Sequence, residues 1–452
     1  MRLITDLSSD NIKGLVWSLA IPSMLSQLVS VLYSIVDRMY IGNIPGTGGL
    51  ALAGVGVCGP IVTLITSFAS WIGVGGAPLM SIRLGQKNEK GARQIVANCF
   101  CLLLAMAFFI TVLAYSFKDY LLTWFGASPT IFPYANDYLS WYLAGTVFAL
   151  ISTGMCQFII CQGFAKTGMF SVIIGAAANI ALDPVFIFVL GMGVKGAAIA
   201  TVISQMASCI YVLIFLFGKR PLVRITFGGY RWNTMKQVLI VGLSPFLIIA
   251  SDSLLIIVMN MVISKFARPG DGDMLLTCNT IVQSFMLLIT MPLGGITGGT
   301  QTVLGYNYGA GRPDRIRRAE KHIVVLGLVF TAVMFIIAQV GPGYFVRIFT
   351  RESSYVGITE WAIRIYTLCV IPLAVQYTVV DGFTGMGIAK VAVSLSMFRK
   401  LVYFLSMLFL PMVFGVEKVF FAEPISDIIA CMTSTATYLL LSGKVLGDHK
   451  RF

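Results

Sequence analysis

Charge is scarce in this chain: only 11% of its 452 residues are Asp, Glu, Lys or Arg, and only two are His. Soluble domains carry about 25% charged residues, so a chain that is 57% hydrophobic with a mean hydropathy of +0.88 reads as a polytopic membrane protein. No Gly-x-x-x-x-Gly-Lys-(Ser/Thr) phosphate loop occurs, and nothing points to ATP hydrolysis within the chain. The two histidines, His322 and His449, lie in polar segments, form no metal-binding pair and read as solvated bystanders. None of the nine cysteines forms a Cys-x-x-Cys pair, and most sit inside apolar stretches as packing thiols. Paired catalytic acids, a metal cluster and a nucleophile-base arrangement are all missing, so an enzyme is not expected. Gly54-Val55-Gly56-Val57-Cys58-Gly59 fits a dinucleotide-binding pattern, but it opens a membrane helix and reads as close helix packing.

What the chain has in abundance is long apolar runs. They recur twelve times, starting near residues 14, 50, 94, 131, 168, 194, 237, 273, 320, 355, 388 and 418. The first, from about Gly14 to Gly42, is too long for a signal-peptide core and reads as an uncleaved span. The net charge of +13 suggests a nucleic-acid partner only until the basic residues are placed. They fall in short connections, and about two thirds of the 32 Lys and Arg lie on the side that also holds both termini. That asymmetry predicts a multi-pass protein of the cytoplasmic membrane with both termini in the cytoplasm.

The longest polar connection, Gly218 to Lys236, follows the sixth span, and the two halves repeat each other. Pro22 in span 1 matches Pro245 in span 7, while Gly75, Gly85 and Arg93 match Gly299, Gly309 and Arg317 at a constant offset of 224. Six spans return the chain to its starting side, so the repeats share one orientation about an axis along the membrane normal. The expected fold is all-α: 12 transmembrane helices in two pseudo-symmetric six-helix bundles around a central cavity. The expected organisation is an N-terminal bundle over 1–218, a cytoplasmic linker over 219–236 and a C-terminal bundle over 237–452.

One acid, Asp183, interrupts the uncharged run Phe170 to Leu190, roughly 20 Å from its Phe170 end. A carboxylate in hydrocarbon is costly, and the default reading is an ion or substrate site. The bland alternative is a satisfied structural acid beside a proline kink. Asn179 and Asp183 are four apart and share one helical face, and Pro184 frees a carbonyl and bends the helix. In span 1, Ser26, Ser30 and Tyr33 or Ser34 precede Asp37 on roughly one face. Asp37 reads either as part of a second inward polar stripe or as an interfacial acid paired with Arg38. Low dielectric disfavours a charged carboxylate, and a second acid nearby disfavours it further, so such a pair can take up and release protons.

Pro22 and Asp37, the Gly-rich ends of spans 2 and 8 with their basic loops, and Asn179-x-x-x-Asp183-Pro184 resemble the multidrug and toxic compound extrusion (MATE) family, nearest to its bacterial MepA-like branch. The resemblance covers almost the whole chain. It implies efflux of organic cations in exchange for protons or sodium ions, with Asp37, Asn179 and Asp183 as the cation-coupling network. The coupling ion, H+ or Na+, is then the one cofactor-like partner, and Na+ would sit at those same three residues. Sodium-type relatives place a further site on acids of spans 7 and 10. Here Asp252 of span 7 is deep and is the second-choice coupling residue. The middle of span 10 carries no acid, however, and Asp381 lies nearer its cytoplasmic end, where it reads as a solvated helix-end charge.

Candidate cavity residues are Tyr33 in span 1, Gln157 in span 4, and Asn279, Gln283 and Met286 in span 8. Amides offer neutral hydrogen bonds to varied substrates, or equally join helices to one another. Flexible Met and aromatic faces suit a surface that accepts many apolar cations, although most face lipid or core. Arg399 and Lys400, deep in span 11, need partners: a cavity acid such as Asp252 or Asp381, water at a helix break, or an anionic headgroup. The leading function is a secondary active multidrug efflux antiporter, working by alternating access on small organic cations as a membrane-embedded monomer. The alternative is a lipid-linked oligosaccharide flippase of the same superfold, whose pyrophosphate cargo calls for basic cavity residues. A passive channel would need a continuous polar pore instead of scattered acids.

Overall fold

The computed structural model describes residues 7, 9–125, 127, 129–266, 272–349 and 353–447. The two terminal tails assigned above to the cytoplasm, with His449, lie outside the described residues. Helices α1 (Ile12–Gly42), α2 (Gly48–Gly85), α3 (Glu89–Trp124), α4 (Phe132–Ala144), α5 (Thr146–Ile160), α6 (Ala165–Pro184) and α7 (Gly193–Phe217) form the first half. Helices α8 (Trp232–Phe266), α9 (Gly272–Gly309), α10 (Pro313–Val340), α11 (Pro342–Phe349), α12 (Ser353–Tyr366), α13 (Val370–Gly385), α14 (Ala389–Phe414) and α15 (Ala422–Gly447) form the second. Ten are long and apolar enough to cross a membrane alone. Two bent pairs, α4 with α5 at 57° and α12 with α13 at 47°, bring the total to the twelve spans expected. Both breaks fall in the fourth span of their half, so the repeat extends to an irregularity that hydropathy does not register.

Local chemistry explains the helix ends. Asn11 and Asn88 cap α1 and α3, their side-chain oxygens each accepting from an amide three residues on, Gly14 and Gly91, at 2.9 Å. Within α1, Ser26, Ser30 and Ser34 donate to the carbonyls of Pro22, Ser26 and Ser30 at 2.9, 3.1 and 3.0 Å. The predicted serine stripe is therefore satisfied inside its own helix, a pattern that favours bending. After Pro184, which lacks an N–H to continue the ladder, residues Val185–Val189 widen into a π turn.

The connection between the halves is held against the first. Gln162 accepts the Val223 amide at 2.7 Å, Asn98 accepts that of Arg231 at 2.9 Å, and Gln94 donates to the Gly229 carbonyl at 2.9 Å. Val223 and Ile225 are buried in the core of the first half. A second core fills the outer part of the second half. A third core joins the two halves, from Leu7–Ala20 at the α1 end to Ile296–Leu304 of α9 and Ile316–Leu326 of α10.

The halves meet through α1 against α9, α2 against α8 and α2 against α9, at the end of the molecule that carries the basic connections after α2 and α9. Glycine makes this possible. A Cβ on Gly75 would overlap Val238 and Gly242 of α8, and one on its repeat partner Gly299 would overlap Ser23 of α1. A Cβ on Gly85 would strike the Tyr306 carbonyl, and one on Gly309 the Ile82 carbonyl. Beside them Trp71 donates from its indole to the Leu239 carbonyl at 2.7 Å and stacks on Phe246 with centroids 4.4 Å apart. Backbone on backbone leaves no flexible side chain to move aside, so Gly309→Ala should weaken this seam by about 1–3 kcal/mol. Maleimide labelling of Ser81→Cys, fully buried in the seam, in an otherwise cysteine-free background should then rise severalfold. Unchanged labelling would show that the seam does not depend on this approach.

Candidate functional site

Helix α1 packs along α6, and α6 along α7, which brings together the acids the sequence singles out. Asp183 is 0% exposed, Asn179 2% and Asp37 9%. The spacing of four between Asn179 and Asp183 is used directly: Asn179 Nδ2 donates to Asp183 Oδ1 at 3.0 Å and reaches Thr201 Oγ1 of α7 at 3.4 Å. The Asp37 and Asp183 carboxyls lie within hydrogen-bonding reach of each other. Asp37 Oδ1, Asp183 Oδ2 and Asn179 Oδ1 are buried without a hydrogen-bond donor among the described residues. Two facing carboxyls share a hydrogen bond only if one holds a proton. The same three free oxygens form an all-oxygen donor set of the kind a hard monovalent cation accepts, so the site fits either ion by chemistry. Tyr33 and Tyr138 stand beside the acids. No ion pair joins Asp37 to Arg38 among the described residues, and Arg38 is exposed.

The second half holds charge differently. Lys400 of α14 pairs with Asp252 of α8. Its neighbour Arg399 donates to Glu423 at 2.5 Å and, through Nε, to Asp427 at 3.0 Å, both on α15. Tyr366 donates to Glu423 at 3.3 Å and accepts from Gln283 at 2.9 Å, with the Tyr403 hydroxyl 3.1 Å away. Glu423 and Asp427 escaped the sequence reading, although their spacing of four repeats that of Asn179 and Asp183 and was the available signal. Thr201 and Tyr138 carried no comparable signal.

Several expected positions are placed elsewhere. Asp381 is not a solvated helix-end charge: it accepts from Thr297 at 2.5 Å and from Gln301 at 3.0 Å. Asn279 is 1% exposed and donates to Asn260 at 3.0 Å, so it joins α9 to α8. Gln283 is engaged by Tyr366, and Met286 is buried in the core of the second half with Phe285. Of the amides expected at the cavity, Gln157 lines a small pocket between the halves, across from Gln301 and Thr302.

Comparisons with known proteins agree with this architecture. The MatE family model matches residues 22–185 and 247–409. The multidrug export protein MepA of Staphylococcus haemolyticus (strain JCSC1435) is 22% identical over 369 residues, covering 81% of this chain and 79% of the relative. MepA of Staphylococcus aureus (strain MRSA252) is 20% identical over 436 residues, covering 95% and 94%. Among solved structures, an outward-facing multidrug resistance MATE family transporter superposes with a TM-score of 0.91 at 22% identity, over 98% of this chain and 99% of that one. A transporter from Pyrococcus furiosus, described as having a binding pocket of reverse polarity, superposes with a TM-score of 0.90 at 23% identity, over 99% and 98%.

The Arg399 cluster yields a stability test. Removing the guanidinium leaves two buried carboxylates facing each other, so Arg399→Met should cost about 3–5 kcal/mol. The triple change Arg399→Met, Glu423→Gln, Asp427→Asn should recover most of that loss. Thermal unfolding followed with a thiol-reactive dye on the buried cysteines distinguishes the two; equal melting of wild type and Arg399→Met would remove the triad from the stability of the fold.

Proposed function

This chain belongs to the MatE family, and from that premise we propose that it is a secondary active exporter of hydrophobic, mostly cationic drugs, driven by inward movement of H+ or Na+. The observation that carries the reading is the buried contact of Asp37 with Asp183, two acids inside the membrane that form no ion pair among the described residues. The drug cargo is supported by the name of the MepA relatives. Basic residues concentrated at the seam end support cytoplasmic termini, and closure at that end supports an outward-facing state.

In that state the acid pair communicates with the outside. With both acids ionised, the pair repels itself and attracts a cation. A proton shared between Asp37 and Asp183, or a sodium ion held by their free oxygens and that of Asn179, removes the repulsion and draws α1 onto α6. The polar patch that faced the cargo is then spent, and release precedes return to the inward-facing state. A charge entering down 100 mV supplies about 2.3 kcal/mol, so one or two sustain a substantial drug gradient. The second half supports placing this chemistry in the first: Lys400 already neutralises Asp252. The same pairing, with Arg399 taken by Glu423 and Asp427, withdraws the one signal that favoured a pyrophosphate-bearing lipid as cargo.

Asp183→Asn keeps the hydrogen bond to Asn179 open and removes the titrating group, so coupled efflux should fall to the level of empty liposomes while the protein still inserts and unfolds cooperatively. The measurement is accumulation of a fluorescent cation in proteoliposomes under a pH gradient and, separately, a sodium gradient. Wild-type transport by the variant would sink the assignment, and the gradient that drives the wild type names the ion.

A further inference from the structure

Lys400 and Asp252 form an ion pair whose position gives it a use beyond neutralising charge. Asp252 lies about 30 Å along α8 from Trp232, inside the membrane. Helix α8 has two exposed faces: Ile240, Leu254 and Met261, 48%, 63% and 59% exposed and spaced by fourteen and seven, form a continuous apolar stripe that we read as lipid-facing, while Ile256, 40% exposed, lies one turn from Asp252 on the other. Asp252 comes two residues before Leu254, hence about 160° around the helix from that stripe. Yet 48% of its side chain is exposed, against 13% for Lys400. Exposure on the side away from lipid is exposure to the cleft between the halves. Arg399, Tyr377 and Tyr403 flank the pair from α14 and α13.

An apolar monocation approaching Asp252 meets a competitor. It gains the carboxylate only by displacing the ammonium, and the displaced ammonium is then left largely buried, with only Asp427, already paired with Arg399, as an acid near it among the described residues. A cargo molecule with one cationic and one anionic group faces no such penalty, because its cation replaces the ammonium at Asp252 while its anion takes the ammonium. Two ion pairs replace one, and the net charge of the cleft is unchanged. We infer that the Lys400–Asp252 pair is a cargo-recognition site that exchanges partners with zwitterions and discriminates against simple monocations. This rests on the efflux reading and names the cargo class that the second half selects.

The test is equilibrium binding to purified protein in detergent, followed by fluorescence anisotropy, with tetramethylrhodamine as its free carboxylate and as its methyl ester. The two dyes share one delocalised cation and differ only in the anion. Wild type should prefer the carboxylate form. Lys400→Gln should weaken that form and strengthen the ester, each about tenfold, which corresponds to 1.4 kcal/mol. Lys400→Arg should keep the wild-type order. The charge-free pair Asp252→Asn, Lys400→Gln serves if the single variant does not fold, and it should show no preference. A ratio of affinities that Lys400→Gln leaves unchanged, or a preference that survives in the charge-free pair, overturns the exchange while both dyes still bind. Failure of both dyes to bind wild type overturns the efflux reading and the exchange with it.

Discussion

An ionised side chain in hydrocarbon must find an opposite charge, a hydrogen-bonding shell or water, because the bilayer supplies none of them. Every deep ionisable group in this protein obeys that constraint, and the two halves obey it in opposite ways. In the second half, Arg399 meets Glu423 and Asp427, and Lys400 meets Asp252. In the first, Asp37 and Asp183 form no ion pair among the described residues and stand beside each other, the neutral Asn179 and the tyrosines Tyr33 and Tyr138, with three oxygens left without a donor. Duplication gave the halves one architecture; the placement of charge gave them different chemistry. Among the described residues, the second half also keeps a partly buried acid without a base, Asp381, but Thr297 and Gln301 donate to both of its oxygens, whereas the first-half acids keep oxygens that no donor reaches.

The repeat also explains how the halves touch. Gly75 and Gly299 are equivalent positions, and each receives the first helix of the opposite half: Gly75 the backbone of α8, Gly299 the Ser23 side chain of α1. Gly85 and Gly309 make the crossing of α2 with α9 symmetric in the same way. A contact between main chains is stiff, because no rotamer change absorbs a shift. Such a seam is closer to a latch than to a yielding surface. Helix α1 belongs to both systems: Ser23 lies in the seam and Asp37 at the acid pair, about 21 Å apart along one helix. The serines between them donate to their own backbone, which allows this helix to bend between the two ends.

Much of this was legible in the sequence because the membrane imposes a coarse grammar. Span starts came within seven residues of the helix starts, since length and apolarity decide crossing. The glycine repeat at offset 224 marked the seam, and Asp183 declared itself because one acid in an apolar run has few bland explanations. The misses have physical causes. The breaks near Gly145 and at Thr367–Cys369 lie in continuously apolar sequence, where hydropathy has no signal. Asn279, Gln283 and Met286 were expected at the cavity, but periodicity gives the face of a helix and not what that face meets. Asn260 and Tyr366 happened to meet two of them.

Arg399 and Lys400 show the limit most clearly. Adjacent on the chain, they point about 100° apart on α14, and that angle sends one into a buried triad with α15 and the other to Asp252 at the cleft. From the sequence the two are adjacent bases in need of partners, with nothing to divide Asp252, Asp381, water or a headgroup between them. The different exposures of their acid partners make them two devices: a guanidinium held by two buried acids, which fixes helix against helix, and an ammonium held by one half-exposed acid, which a visiting charge can compete for. Pseudo-symmetry sharpens the point. With Gly163 and Gly168 of the first half aligned on Gly382 and Gly387 of the second, the position equivalent to Asp183 is Val402, two residues beyond Lys400, so the second half has put a base near the place where the first half keeps its acid. The inversion leaves the first half with unpaired acid oxygens and the second with an acid that already carries its own base.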